Sequence, residues 1–342
     1  MHLSAKQWLL CSVFALASAP GFAADDIVNL YSSRHYPSDR ELYAGFTRAS
    51  GIKVNLIEAS ENALIERVRG EGARSPADVL ITTDAGRLWH AEQAGLLQPV
   101  KSSVLDARIP ASFREAGGKW FGFSLRARVI AYDKAKVQPS EIPNYEALAD
   151  PKWKGRICVR SGTHIYNLSL MGALIEHLGK NKAEQWAKAV KANLARDPKG
   201  GDTDQIRGVA AGECDVAITN HYYYARLARS AKPADRTVAA KVGIVFPNQS
   251  SWGAHVNISG AGVAKHAPNR AAAIKFLEYL ASDEAQRHFS EGNNEWPVVA
   301  SVKVTDPVLV SFGEFKYDQL NVAAFGRNQP SAQKIYDLAA WK

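Results

Sequence analysis

A two-lobed α/β protein, with a doubly wound sheet in each lobe and a hinged cleft between them, is what this sequence predicts. Three observations carry that expectation. Strand and helix signals alternate from Ile27 onward, the alternation resumes in the second half without sequence repetition, and no linker, low-complexity stretch or heptad run separates the halves. Alternating strands and helices imply open, largely parallel sheets covered on both faces.

The elements follow in order. Ile27 to Ser32 is a short β-rich run, and Ser38-Asp39-Arg40-Glu41 has the spacing of a capping box opening a helix that Gly51 stops. Lys53 to Glu58 reads as a strand, Asn62 to Arg69 as an amphipathic helix and Asp78 to Thr82 as an apolar strand. Gly86 to Ala94 is a helix closed by Gly95. Ser124 to Tyr132 is a strand entering a second lobe, where Ile157 to Arg160, Tyr166 to Leu178, Asn181 to Ala195, Gln205 to Ala211 and Asp215 to Thr219 continue the alternation. Ala254 to Gly262 looks like a return strand, and Asn269 to Ala281 is a helix. The crossings divide the chain into a first lobe of residues 24–125 plus 253–300 and a second of 126–252 plus 301–342. Ligands of such sheets bind beyond the carboxyl ends of strands, and a cleft between lobes favours small ones.

The N-terminus sets the compartment. Lys6 precedes an apolar run from Trp8 to Ala19, and Gly21-Phe22-Ala23 supplies small residues where a signal peptidase reads. Residues 1–23 are expected to be a removed signal peptide, which places the mature chain in the periplasm as a soluble protein. The formal net charge of +8 comes from Lys and Arg residues scattered along the chain. Scattered charge gives a solvated basic surface, so no nucleic-acid partner is expected. Cys158 and Cys214 remain after the signal; each lies eight residues before a tyrosine, Tyr166 and Tyr222. One disulfide or two buried thiols both fit that spacing.

Enzyme signatures are missing: there is no G-x-S-x-G elbow, no phosphate-binding G-x-x-x-x-G-K-[ST] loop and no H-E-x-x-H helix. The cysteines lack zinc-ligand spacing. The expectation is therefore a binding protein and not an enzyme. Tyrosines stand out instead. Asn220-His221-Tyr222-Tyr223-Tyr224 follows the strand Asp215 to Thr219, and three consecutive tyrosines cannot all face one core. Thr163-His164-Ile165-Tyr166-Asn167 also follows a strand, as does His35-Tyr36. A single tyrosine usually packs with its hydroxyl on a backbone group, but three such sites at strand ends point to a cleft.

These segments resemble the periplasmic ferric-ion-binding proteins of bacterial ABC iron importers, in the branch with tyrosine-rich iron sites. The resemblance spans the mature chain, through Tyr-Ser-Ser-Arg-His-Tyr at 31–36, Ser-Pro-Ala-Asp-Val at 75–79, Ala-Gly-Leu-Leu at 94–97, Arg-Ser-Gly-Thr-His-Ile-Tyr-Asn at 160–167 and Asn-His-Tyr-Tyr-Tyr-Ala-Arg-Leu at 220–227. It implies the two-lobed fold of periplasmic binding proteins and Fe3+ as the transported ligand. It also implies iron ligands at Tyr36, Tyr166, Tyr222 and Tyr223 with His35 as a fifth candidate, Tyr224 as structural, and an inner-membrane ABC permease as partner to a monomeric carrier. Other branches use a carboxylate near the position of Glu61, which the extra Tyr166 argues against here.

The chemistry agrees. Fe(III) is a hard cation that prefers anionic oxygen, and a bound cation offsets the cost of deprotonating a phenol. Arg226, three residues beyond Tyr223, is a candidate to stabilise the phenolates or to hold a carbonate-like synergistic anion. Arg126 and Arg128 share one strand face, with at least one expected in solvent. His164 and His221 are set aside. Trp120, Trp153, Trp186 and Trp252 read as core or hinge packing. The rival readings are a carrier of a small organic ligand (polyamine, thiamine or sugar phosphate) and a periplasmic enzyme with a cryptic site.

Overall fold

The computed structural model describes residues 27–34 and 36–342. The expected signal peptide and the candidate ligand His35 lie outside the described residues. Among the described residues nine strands join into one sheet: β1 (Ile27–Ser32), β2 (Lys53–Glu58), β3 (Val79–Thr83), β4 (Phe121–Asp133), β5 (Ile157–Cys158), β6 (Val216–Asn220), β7 (Val242–Val245), β8 (Val256–Val263) and β9 (Trp296–Pro297). The order is β2-β1-β3-β8-β4-β6-β5, with β7 and β9 also pairing β4.

Among the nine strands, parallel pairing is confined to β1 with β2 and β3, and to β5 with β6. The central strands β8 and β4 run antiparallel to their neighbours, so each half is a mixed sheet rather than a largely parallel one. The thirteen-residue β4 explains how the halves join. Its first part pairs with β8 from Phe121 to Ala127, and its second pairs with β6 and β7 from Arg128 to Asp133. The apolar cores follow the same division. Phe121 to Val129 pack with Val28, Leu30, Val79, Ile258 and Phe276, whereas Ile130 packs with Val216, Ile218, Leu170 and Trp341. Ala131 and Ala217 face a third core on the opposite side with Ile206 and Leu227, as the two-residue period of a strand requires.

Burial of β4 on both faces overturns the expectation that Arg126 or Arg128 faces solvent: each is 1% exposed. Helices cover both sides of a central strand, so alternation there selects between two interiors. Arg128 is compensated by Asp202 at 2.6 Å, Asn167 at 2.6 Å and Asn220 at 3.1 Å.

The helix Asp39–Ser50 forms where expected, and Gly51 terminates it with a left-handed backbone at φ +74°. Its expected capping box does not form. Ser38 is already helical at φ −63°, ψ −27°, and its hydroxyl donates to Asn293 Oδ1 instead of to its own helix. A tertiary acceptor has won over the local one. Helices Pro233–Lys241, Asp283–Asn293 and Ala323–Leu338 lie outside the sequence expectations. The last contains Pro330, which removes a helical donor; the buried side chains Phe325, Ala332, Ile335 and Tyr336 offset that cost. Cys158 and Cys214 form a disulfide, with Cα atoms 5.7 Å apart. Cys158 ends β5, while Cys214 sits two residues before the parallel strand β6.

Candidate metal centre

Three strand-to-helix passages build the site. β1 runs out through Ser33 and Arg34 to Tyr36. After β5 a polar turn leads into the helix Ile165–Leu178, whose first turn carries Tyr166. β6 leads straight into the helix His221–Arg229, so Tyr222 and Tyr223 occupy a first turn and Arg226 the next. Successive helical side chains diverge, and the three tyrosines separate accordingly. Tyr222 is fully buried beside Tyr166, Tyr223 lines the cleft, and Tyr224 turns away to donate its hydroxyl to Ala239 O at 3.3 Å.

A cavity of about 670 Å³ opens at this junction, lined by Tyr36, Tyr166, Tyr223, Arg34, Arg87 and Arg226 among others. Tyr222 Oη donates to Tyr166 Oη at 3.3 Å, and the Tyr222 and Tyr223 rings lie 4.4 Å apart. The Arg226 guanidinium covers the faces of Tyr36 at 4.7 Å, Tyr222 at 4.9 Å and Tyr223 at 5.9 Å. Three candidate tyrosines thus line one space and Tyr222 packs behind two of them, with Arg226 over Tyr36, Tyr222 and Tyr223.

Positive charge surrounds the phenols. Arg126 lies 5.2 Å from the Tyr166 ring and Arg34 4.7 Å from that of Tyr36. Arg126 donates to Ile258 O at 2.9 Å, while its Nε and Nη1 are buried without partners. Burial pushes Tyr36 up to about 12, with Glu295 and Tyr166 adding to it. Burial likewise raises Tyr222 and Tyr223, each further opposed by the charge of Tyr166. Tyr166 goes the other way: burial raises it, but Arg126 and the hydrogen bond from Tyr222 hold it below the ordinary tyrosine value.

Other residues take supporting places. His164 caps the helix by accepting from Tyr166 N at 3.2 Å, and burial pushes it down to about 2. His221 is held neutral in the same way at about 3, its Nε2 donating to Asn294 O at 2.7 Å. Glu61 approaches Arg87 at 2.7 Å and lines a neighbouring cavity of about 380 Å³, not the tyrosine cavity. Glu295 was not legible in the sequence. It is buried and held charged by Arg34 and Arg126 in spite of desolvation. Arg34 carried a signal, being the basic residue of the quoted Tyr-Ser-Ser-Arg-His-Tyr segment directly after a strand; Glu295 carried none.

Among the described residues no three His, Cys, Asp or Glu side chains gather in a group that could hold a metal ion. Comparison with known proteins gives this geometry its context. "Iron uptake protein A2" of Synechocystis sp. is 53% identical over 317 residues, covering 92% of this chain and 90% of that protein. The "Major ferric iron-binding protein" of Neisseria meningitidis is 32% identical over 87% of each chain. Among solved structures, Trichodesmium IdiA (FutA) in complex with iron and citrate ligands superposes with a TM-score of 0.90 at 57% identity, covering 92% of this chain and all of that one. The ferric binding protein of Campylobacter jejuni gives 0.87 at 42% identity, with the same coverage. Residues 74–311 match the family described as bacterial extracellular solute-binding protein. That match spans more than half of the chain, and this chain belongs to the family.

Proposed function

We propose that this protein captures ferric iron in the periplasm and delivers it to an inner-membrane ABC permease, with Tyr36, Tyr166, Tyr222 and Tyr223 as phenolate ligands. The observation that carries the reading is the gathering of these four rings at one cavity: Tyr36, Tyr166 and Tyr223 line it, Tyr222 packs behind them against Tyr166 and Tyr223, and Arg226 lies over Tyr36, Tyr222 and Tyr223. Three or four phenolates match the charge and hardness of Fe(III), and the guanidiniums of Arg34, Arg126 and Arg226 offset the surplus negative charge. Arg226 also supplies donors for a carbonate-like anion completing the shell. The relatives named above support iron as the cargo.

Residues 24–125 with 253–300 form the first lobe in this reading, and 126–252 with 301–342 the second. The change of core between Val129 and Ile130 supports a division within β4. Iron binds first to Tyr166, Tyr222 and Tyr223 on the second lobe. Closure then brings in Tyr36, and the permease reads the closed, loaded form through its differential contacts. The protein works as a monomeric carrier, and its chemistry is ligand exchange rather than turnover.

Titration of the purified protein with ferric citrate tests the reading. Phenolate-to-iron charge transfer is expected to colour the protein red or orange at one iron per chain. A colourless protein without iron by elemental analysis would refute it. Tyr222→Phe with Tyr223→Phe is expected to abolish the colour while circular dichroism stays unchanged.

A further inference from the structure

The segment Asn293-Asn294-Glu295 ends the helix Asp283–Asn293, and Asn294 holds a left-handed backbone at φ +57°. Asparagine tolerates that conformation better than most residues and is a common ending for a helix. Each of its three residues reaches a segment that carries a candidate ligand. Asn293 accepts from Ser38 Oγ and donates to Asp39 Oδ1 at 2.8 Å, both just beyond Tyr36. The Asn294 carbonyl accepts from His221 Nε2 at 2.7 Å, one residue before Tyr222. Glu295 Oε2 accepts from Ser124 on β4, from Ser259 on β8 at 3.0 Å and from Arg34 at 3.4 Å.

Arg34 completes the link. Asp39 grips its Nε at 2.6 Å and Nη2 at 3.2 Å, and the guanidinium then lies 4.7 Å from the Tyr36 ring. A forked guanidinium held by two carboxylates loses most of its rotational freedom, so the ring beside it is positioned as well. Glu295 is 0% exposed, which makes removing its charge consequential for Arg34.

We infer that Glu295 is a positioning residue for iron: through Arg34 it sets Tyr36 opposite the Tyr222–Tyr223 pair, while Asn294 fixes the start of the tyrosine helix through His221. This inference rests on the ferric reading above. It separates Glu295 from the ligands themselves and gives the turn a role in bringing the two ligand-bearing segments into register.

A double-variant cycle on the full mature protein tests it, using E295Q, Y36F and both together. Ferric affinity is measured by competition with citrate, and the charge-transfer maximum by absorbance. E295Q is expected to weaken iron binding at least about tenfold, the scale of a lost buried positioning contact. It is also expected to shift the absorption maximum in the direction that Y36F does. In the Y36F background E295Q should add less than about twofold, because coupled residues are non-additive. A wild-type spectrum and affinity for E295Q would overturn the inference. So would an E295Q penalty that persists in full without the Tyr36 hydroxyl, since Glu295 would then act on the metal directly. If E295Q fails to fold by circular dichroism, R34K enters the same cycle, keeping the charge but losing the fork, and the same two outcomes decide. A wild-type protein that takes up no iron overturns the ferric reading and this inference together, whereas a coloured wild type with an unaffected E295Q overturns this inference alone.

Discussion

Tyr166 and Tyr222 differ in proton affinity although their hydroxyls lie only 3.3 Å apart. Burial opposes ionisation of both, but Arg126 and the donated hydrogen bond favour a charge on Tyr166, and that charge then disfavours one on Tyr222. Ultraviolet titration of the iron-free protein is expected to show one tyrosine ionising below the ordinary value, absent in Tyr166→Phe. The other three candidate ligands start protonated at neutral pH, since Tyr36 is pushed up to about 12 and Tyr222 and Tyr223 are raised too. Iron must therefore expel protons on binding, as metals do from ligands that bind deprotonated. The sign follows: affinity rises with pH and falls on acidification. Proton release should accompany loading in an unbuffered titration with ferric citrate, and unchanged affinity between neutral and mildly acidic pH would contradict it.

Elements owe their placement to a few buried contacts. The helix Asp202–Ala211 begins at Asp202, which is fully buried and takes Arg128 at 2.6 Å, Arg160 at 3.1 Å and the Asn220 amide at 2.7 Å. It thereby joins β4, the segment after β5 and the end of β6 just before the tyrosines. Asp202→Asn leaves two arginines without their carboxylate, and about 3–5 kcal/mol of stability should be lost in denaturant unfolding. The disulfide acts on the same elements from below. It closes a loop of sequence separation 56, for which chain entropy gives about 4 kcal/mol. Cys158→Ser with Cys214→Ser should therefore lower the unfolding midpoint clearly. Retained wild-type stability would mean the reduced chain keeps those ends together unaided. Most elements were legible because their periodicity is local, as with β1 and β2, whose bounds match the sequence reading. The helix Ala323–Leu338 was not, because Pro330 breaks the pattern and only its packing restores it.

The molecule as a whole turns on β4, which passes from one core into the next, and on β8, which pairs with its first part. Closure about them should make the iron-loaded protein more compact than the free form in small-angle scattering, and Tyr36→Phe should reduce that difference. Stability carries its own pH signature. Burial holds His221 and His255 down to about 3 from 6.5, so the unfolded chain binds more protons between those values. Stability is then complete above about 6.5 and declines as pH falls toward 3. The unfolding midpoint of the iron-free protein should drop across that window, and His255→Gln should make the drop shallower.

The sequence alone determined the alternation of strands and helices, the positions of Tyr36, Tyr166, Tyr222 and Tyr223 after strands, and the two cysteines ahead of Tyr166 and Tyr222. Those features are local: they depend on side-chain period, turn residues and short spacing. The tertiary structure decided which distant groups meet. Only the fold could bury Arg126 and Arg128 on a strand covered from both sides, take Ser38 from its own helix to Asn293, and bring Glu295 to Arg34 across 261 residues. Partners so far apart in the chain leave no periodic signal in it, because their contact is set by packing and charge balance in the finished interior.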